Sequence, residues 1–155
     1  MNILTLDLAI KTGWATFFDH KISSGVQEFG LARGESVGMR FLRFRAWLKK
    51  MAEYAPGKID LIVYEQAHHR GGAATQLCVG LVTDALAFAA DIGADTMPVH
   101  TGTLKKYATG KGNAGKELMK LAARARGYKP VDDNEADACM LLEYALEDLR
   151  VERVA

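Results

Sequence analysis

The fold turns on the run Ile3-Leu4-Thr5-Leu6-Asp7-Leu8-Ala9-Ile10. Residues 2–9 are apolar at both parities, the pattern of a strand buried on both faces at the centre of a sheet. Asp7 breaks that pattern. A buried charge at such a place costs on the order of several kcal/mol unless it is paired or metal-bound. No basic residue comes before Lys11 to pair with it. The plain alternative is a strand-end carboxylate capping the turn before Gly13.

Outward from this run, residues 13–18 and 22–31 read as two more strands. Asp19-His20-Lys21 between them is short enough for a hairpin. Ser36 precedes a helix running to about Tyr54, whose stripe Val37, Phe41, Phe44, Leu48 and Met51 recurs every third or fourth residue. Pro56-Gly57 ends it. Residues 59–65 form a fourth strand, and 75–92 a largely apolar helix expected to pack on the sheet. Residues 96–100 form a fifth strand. Three helices follow: a short one over 103–108, then 114–126, then 134 to about 150. The first three strands make an antiparallel meander, and right-handed crossovers place strands four and five parallel to the first. The expected architecture is therefore one α/β domain over residues 1–155. Its five-stranded mixed sheet has the order 3-2-1-4-5, with helices on both faces.

Composition agrees. A chain of 155 residues suits one domain with a proper core, and 49% hydrophobic with 25% charged residues is an ordinary globular balance. Cys78 and Cys139 lie far apart without CxxC spacing, so neither a zinc site nor a disulfide framework is expected, and a cytoplasmic setting fits. The N-terminus lacks the basic start of a signal peptide. No apolar run is expected to reach the roughly 18–20 residues that span a bilayer, so no membrane partner is expected.

The net charge of +1 hides a segregation. From Lys105 to Lys129 there are eight basic residues (Lys105, Lys106, Lys111, Lys116, Lys120, Arg124, Arg126, Lys129) against one acid, Glu117. From Asp132 to Asp148 there are seven acids and no Lys or Arg. A basic segment beside an acidic one can bind a polyanion and hold cations close by, although two solvated helix faces of opposite sign would look the same.

Two further acidic features join Asp7. Glu65 ends the apolar run Leu61-Ile62-Val63-Tyr64. If the first and fourth strands are neighbours, about 4.8 Å apart, the two carboxylates repel unless a cation lies between them. The other feature is Asp132-Asp133-Asn134-Glu135-Ala136-Asp137 at the start of the last helix. Asp132 and Glu135 have capping-box spacing, and acids suit a helix N-terminus. Asp137 lies more than a turn in, where neither explanation reaches. Asp133 lies about 40° and Asn134 about 60° from it around the axis, so either could offer oxygen to the same ion. Three acids from two strands and a helix match the hard oxygen ligands that Mg²⁺ prefers. Two such ions about 3.5–4 Å apart support phosphodiester hydrolysis.

Lys116, Lys120 and Arg124 share one helix face at four-residue spacing and could track a phosphate backbone. Ahead of them, Gly110-Lys111-Gly112-Asn113 could bring backbone N–H groups to phosphate or form a plain turn with Asn113 as helix cap. His68-His69-Arg70-Gly71-Gly72 reads as a DNA-contacting loop, since no third residue at ligand spacing makes the histidines a zinc site. Trp14, Trp47 and Tyr107 read as core or half-buried aromatics.

Together, Leu6-Asp7-Leu8-Ala9-Ile10-Lys11-Thr12-Gly13-Trp14-Ala15, Tyr64-Glu65-Gln66, Leu104-Lys105, Thr109-Gly110-Lys111-Gly112-Asn113-Ala114-Gly115-Lys116 and Asn134-Glu135-Ala136-Asp137-Ala138 resemble the RuvC-type Holliday-junction resolvases. The likeness runs nearly end to end and is nearer the phage-encoded branch. It implies a ribonuclease H-like fold and a homodimer in the cytoplasm, that of the bacterial host if the protein is phage-encoded. It also implies paired nicks across a four-way DNA junction with Mg²⁺ (Mn²⁺ substituting) and no small-molecule cofactor. By position it implies Asp7, Glu65 and Asp137 as metal ligands and Lys105 and Lys116 as charge-stabilising lysines. The remaining helix ligand falls on Asn134, a weaker donor, so Asp133 is an alternative. The place where relatives can carry a junction-wedging aromatic holds His68, whose imidazole can stack on a base. The rivals are a nuclease of the same fold acting on RNA–DNA hybrids or RNA, a junction-binding protein with a decayed site, and an actin-like ATPase. The last needs a second such domain, which 155 residues do not supply.

Overall fold

The computed structural model describes residues 1–66 and 71–153. Its elements follow the chain as β1 (Ile3–Asp7), β2 (Lys11–Phe18), β3 (Lys21–Glu28), α1 (Gly38–Tyr54), β4 (Leu61–Gln66), α2 (Ala73–Ile92), β5 (Asp95–His100), α3 (Thr101–Thr109), α4 (Lys116–Ala125) and α5 (Asp133–Asp148). The sheet order is β3-β2-β1-β4-β5, antiparallel among the first three strands and parallel from β1 through β4 to β5. The architecture expected from the sequence is the one observed.

Strand parity divides the core in two. Ile3 and Ala15 on one face join Leu61 and Val63 beneath α3, α4 and α5. Leu4, Leu6, Ile62 and Tyr64 on the other face pack with α1 and α2. β1 and β4 run side by side with Thr5 opposite Val63 and Leu6 opposite Tyr64. One further step along that register brings Asp7 level with Glu65. Both share the parity of the α5 side, because successive strand residues alternate faces.

Several boundaries differ from expectation for local reasons. β1 stops at Asp7, where its ladder with β2 closes at Gly13. The β2–β3 hairpin turns on two residues, Asp19 and His20, both at positive φ (49° and 61°). That is the turn whose twist matches the strands it joins. β3 ends at Glu28 because Phe29 turns inward to stack edge-on against Phe44 and Trp47. Val37 was expected to open the buried stripe of α1, but it sits at the N-cap, 58% exposed, and the burial falls on Phe44, Leu48 and Met51.

α2 also departs from expectation. By length and composition it is apolar enough to cross a membrane, since Asp84 and Asp91 are its only charges. It buries Leu81, Ala85, Phe88 and Ala89 and leaves Val79 and Leu86 exposed. Arg45 of α1 ties to both aspartates, at 3.7 and 3.6 Å.

α5 is the buried axis of the other layer. Small side chains let it come close: Ala136 and Ala138 are fully buried, and Thr5 Oγ1 donates 2.7 Å to the Ala138 carbonyl. The tightest approach is at Gly13, where a Cβ would fall 1.9 Å from the carbonyl oxygen of Asn134 and 2.8 Å from the nitrogen of Glu135. Those are backbone atoms, so no rotamer change relieves the clash. Gly13→Ala should therefore lower stability by about 3 kcal/mol or more, the top of the usual overpacking range. The check is a lower urea midpoint at unchanged m-value. A midpoint within error of the parent would show that α5 is not seated on β2 in this way.

Candidate metal and nucleic-acid site

The end of β1, the end of β4 and the second turn of α5 meet above the sheet. Asp7, Glu65 and Asp137 are each partly buried and offer oxygens all within 4.8 Å of one another. Glu65 Oε1 accepts from Thr101 Oγ1 at 2.5 Å, a contact made by the first residue of α3. Asp137 Oδ1 is buried and, among the described residues, has no hydrogen-bond partner.

This electrostatic arrangement is costly as it stands. Burial, then the charges of Glu65 and Asp137, push the Asp7 carboxyl well above its usual value. Burial, then Glu65 and Asp133, push Asp137 up to about 7, against the pull of Lys105 and Lys116. An orphaned carboxylate oxygen facing two further carboxylates is what a divalent cation would satisfy. The donor set, all hard oxygen, fits that ion class.

Other acids of the α5 segment are satisfied by the protein itself. Asp132 caps α5, its Oδ1 accepting from Glu135 N at 2.9 Å. The expected capping box is only half made, because the Glu135 carboxylate turns away to accept from Ser24 Oγ (2.7 Å) and Val131 N (2.8 Å). Glu143 accepts from Tyr128 and Arg153.

The two alternatives for a further ligand have different surroundings. Asp133 pairs with Lys116 at 2.9 Å. Burial would raise its carboxyl, but the hydrogen bond and charge of Lys116 prevail and hold it below its usual value. The Asn134 amide is turned to Asp132, donating at 3.5 Å. Asp133 is not one of the three clustered carboxylates.

Of the expected basic residues, Lys105 is half-buried and Lys106 exposed on α3, and Lys111 is exposed in the following turn. Of the two readings of the loop before α4, the plain turn capped by Asn113 is not what forms: α4 starts from Gly115 with no side-chain cap. Lys116, Lys120 and Arg124 lie along α4, and the charges of Lys116 and Lys120 both act on Asp133. Lys120 pairs with Glu117 at 2.7 Å, while Arg124 is exposed and makes no ion pair among the described residues. His68, His69 and Arg70 lie outside the described residues. Trp14, Trp47 and Tyr107 are half-buried, as expected.

On the α2 side, Asp7 and Glu65 border a cavity of about 730 Å³ walled by Leu8, Tyr64, Leu77 and Val82. Sequence reasoning missed Thr5 and Thr101, which fasten α5 and Glu65. Nothing in their local sequence marks them, because each acts on a partner remote in the chain.

The backbone path can be compared with solved structures. T. thermophilus RuvC in complex with a Holliday junction substrate matches with a TM-score of 0.75 over 96% of this chain and 96% of that one, at 20% identity. A further Thermus thermophilus RuvC structure gives 0.73 over 97% and 96%, at 18% identity. The fold is that of RuvC. It is thus the ribonuclease H-like fold that the motifs implied, and the likeness to RuvC spans the whole sheet and its helices. No protein-family model and no curated protein matches the sequence.

The raised carboxyls set a pH dependence. The folded protein holds the Asp137 proton up to about 7, against an ordinary value of 3.8, so it binds protons more tightly than the unfolded chain. Without metal, stability should therefore fall as pH rises through that window. A divalent cation bound there at neutral pH would take the place of the proton. Mg²⁺ at a hundred times its dissociation constant should add about 2.7 kcal/mol, a Tm rise of roughly 5–10 °C for a chain of this size. Asp137→Asn should raise the metal-free Tm at neutral pH and lose most of the Mg²⁺ response. Calorimetry across pH with and without Mg²⁺ checks both, and a flat metal-free profile would contradict the clustering.

Proposed function

We propose that this protein is a divalent-metal-dependent endonuclease that cuts branched DNA, resolving four-way junctions by paired phosphodiester hydrolysis as a homodimer. The observation that carries this is the buried, unpartnered Asp137 Oδ1 facing Asp7 and Glu65, in a fold shared with a RuvC that was solved with a Holliday junction substrate.

Asp7, Glu65 and Asp137 would hold Mg²⁺, two ions in the full reading, with Asp133 or Asn134 completing the set and Mn²⁺ able to substitute. The bound ions supply Lewis-acid stabilisation of the attacking and leaving oxygens. The chain's own groups do the rest. Thr101 holds the Glu65 carboxylate in place. Lys116 and Lys105, whose charges reach Asp137, offset negative charge gathering near the scissile phosphate. Lys106, Lys111, Lys120 and Arg124 continue a cationic track that can neutralise backbone phosphates, with His68, His69 and Arg70 as further DNA contacts. The apolar Val79 and Leu86 left exposed on α2 give a second copy a face to cover, and two copies would place one site on each of two strands.

The test is gel cleavage of a synthetic four-way junction beside flap, RNA–DNA hybrid and linear duplex, with Mg²⁺ and with chelator. The junction should be nicked in symmetric pairs, and only with metal. Preferential cutting of the hybrid would instead favour a ribonuclease. Asp7→Asn or Asp137→Asn should lower cutting by about a thousandfold or more while junction binding persists, whereas full Mg²⁺-dependent cutting by either variant would refute the assignment.

Arg124→Ala should weaken binding to junctions of any sequence and make the slope of log K on log salt shallower by about one. Filter binding across salt concentrations measures it. An unchanged slope would remove Arg124 from the DNA path.

A further inference from the structure

β3 is an open edge of the sheet, and a cleft flanks it on each face. On the α1 side a cavity of about 740 Å³ is bounded by Trp14, Trp47, Met51 and Tyr54, with Ser23 of β3 at its border. Gly25 pairs with Trp14 across the ladder, and a Cβ there would fall 2.8 Å from the indole. The glycine thus leaves the ring room to lie across the strand. On the α5 side a smaller cavity of about 340 Å³ is bounded by Ser24, Arg126, Lys129 and Arg153, and Ser23 borders this one too.

The strand between them is unprotected. From Ile22 to Gln27 it carries no charge and no proline, the devices that usually blunt an edge. The two-residue hairpin makes Phe18–Lys21 its closing pair, so the hydrogen-bonded pairs recur at Ser23, Gly25 and Gln27. The N–H and C=O groups of Ile22, Ser24 and Val26 therefore point outward. Among the described residues, no backbone hydrogen bond from outside the sheet reaches them.

We propose that β3 takes up an extended segment of a partner protein as a sixth strand, with apolar side chains entering the aromatic cleft and acidic ones the basic cleft. A strand added to this edge alternates its side chains between the two faces with period two. One parity meets Trp14, Trp47 and Tyr54, in a cleft whose lining also includes Lys21, Lys50 and Asp19. The other meets three cations, Arg126, Lys129 and Arg153, against two carboxylates, Glu143 and Glu135, and Glu135 is already taken up by Ser24 Oγ and Val131 N. Of these cations, Arg153 pairs with Glu143 at 2.6 Å. Arg126 donates to the carbonyls of Ala108 and Ala122 and lies over the Tyr107 ring. Lys129 is exposed and has no ion pair among the described residues. The surplus positive charge selects acid over base at that parity. None of these residues belongs to the carboxylate cluster, so the inference does not rest on the nuclease reading.

The probe is a fluorescein-labelled peptide as long as β3, alternating leucine and glutamate, titrated by fluorescence anisotropy. It should bind saturably, and a lysine-for-glutamate copy should bind at least about tenfold more weakly. N-methylation of the backbone at one parity should abolish binding, and at the other parity should leave it. Lys129→Glu and Tyr54→Ala alter exposed side chains, and each should weaken binding by about fivefold or more. Hydrogen exchange should slow at Ile22, Ser24 and Val26 when the peptide is added. No binding of the glutamate peptide, equal binding of the lysine copy, or equal loss at both methylation parities would overturn the proposal. So would protection of those amides that rises with protein concentration alone, which would place a second copy on this edge.

Discussion

Three partly buried carboxylates held within 4.8 Å of one another are the constraint to which the rest of this fold answers. Like charges at that distance, partly desolvated, oppose the folded state unless a proton or a cation intervenes. The chain nonetheless fastens each carrier rigidly. β1 and β4 are hydrogen-bonded neighbours, Thr101 grips Glu65, and Thr5 joins β1 to α5 one residue beyond Asp137. Gly13 then lets the start of α5 rest on the β2 backbone. Acids kept together by this many independent contacts form a site that could take a cation with little rearrangement.

The contrast among buried acids sharpens this point. Glu135 and Glu143 are both more buried than the cluster, yet each has its carboxylate met by protein donors. They are structural, fastening α5 to β3 and to the C-terminal segment. Asp137 lies between them on the same helix and has an oxygen with no donor at all among the described residues. The basic groups are sorted by distance as well. Lys116 neutralises Asp133 at the rim and reaches Asp137 only through its field. Among the described residues no ion pair ties a basic group to the three central acids, while α4 carries Lys116, Lys120 and Arg124, an arrangement that can attract a polyanion and still leave room for cations.

Much of this is legible in the sequence. The alternation of Ile3, Thr5, Asp7 against Leu4, Leu6, Leu8 fixes which face Asp7 shares, and Leu61, Val63, Glu65 repeats it. Once the two strands are adjacent and parallel, the carboxylates must lie side by side. Asp137 stood out because helix capping accounts for Asp132 and not for a residue more than a turn further in. Less legible were the elements whose limits depend on remote partners. Val37 continues the periodicity of α1, but the helix starts one residue later. Glu135 has capping-box spacing, but Ser24, more than a hundred residues away, takes its carboxylate.

The sequence by itself determined the sheet order, the helix layers and the candidate acids, because strand parity, helix period and crossover handedness are local or nearly local rules. Only the tertiary structure decided which acids are left without donors, which lysine each acid keeps, and that β3 stays open between an aromatic-lined cleft and a smaller, basic one. Those outcomes rest on hydrogen bonds and clearances between residues far apart in the chain, and no local pattern encodes a distance across the fold.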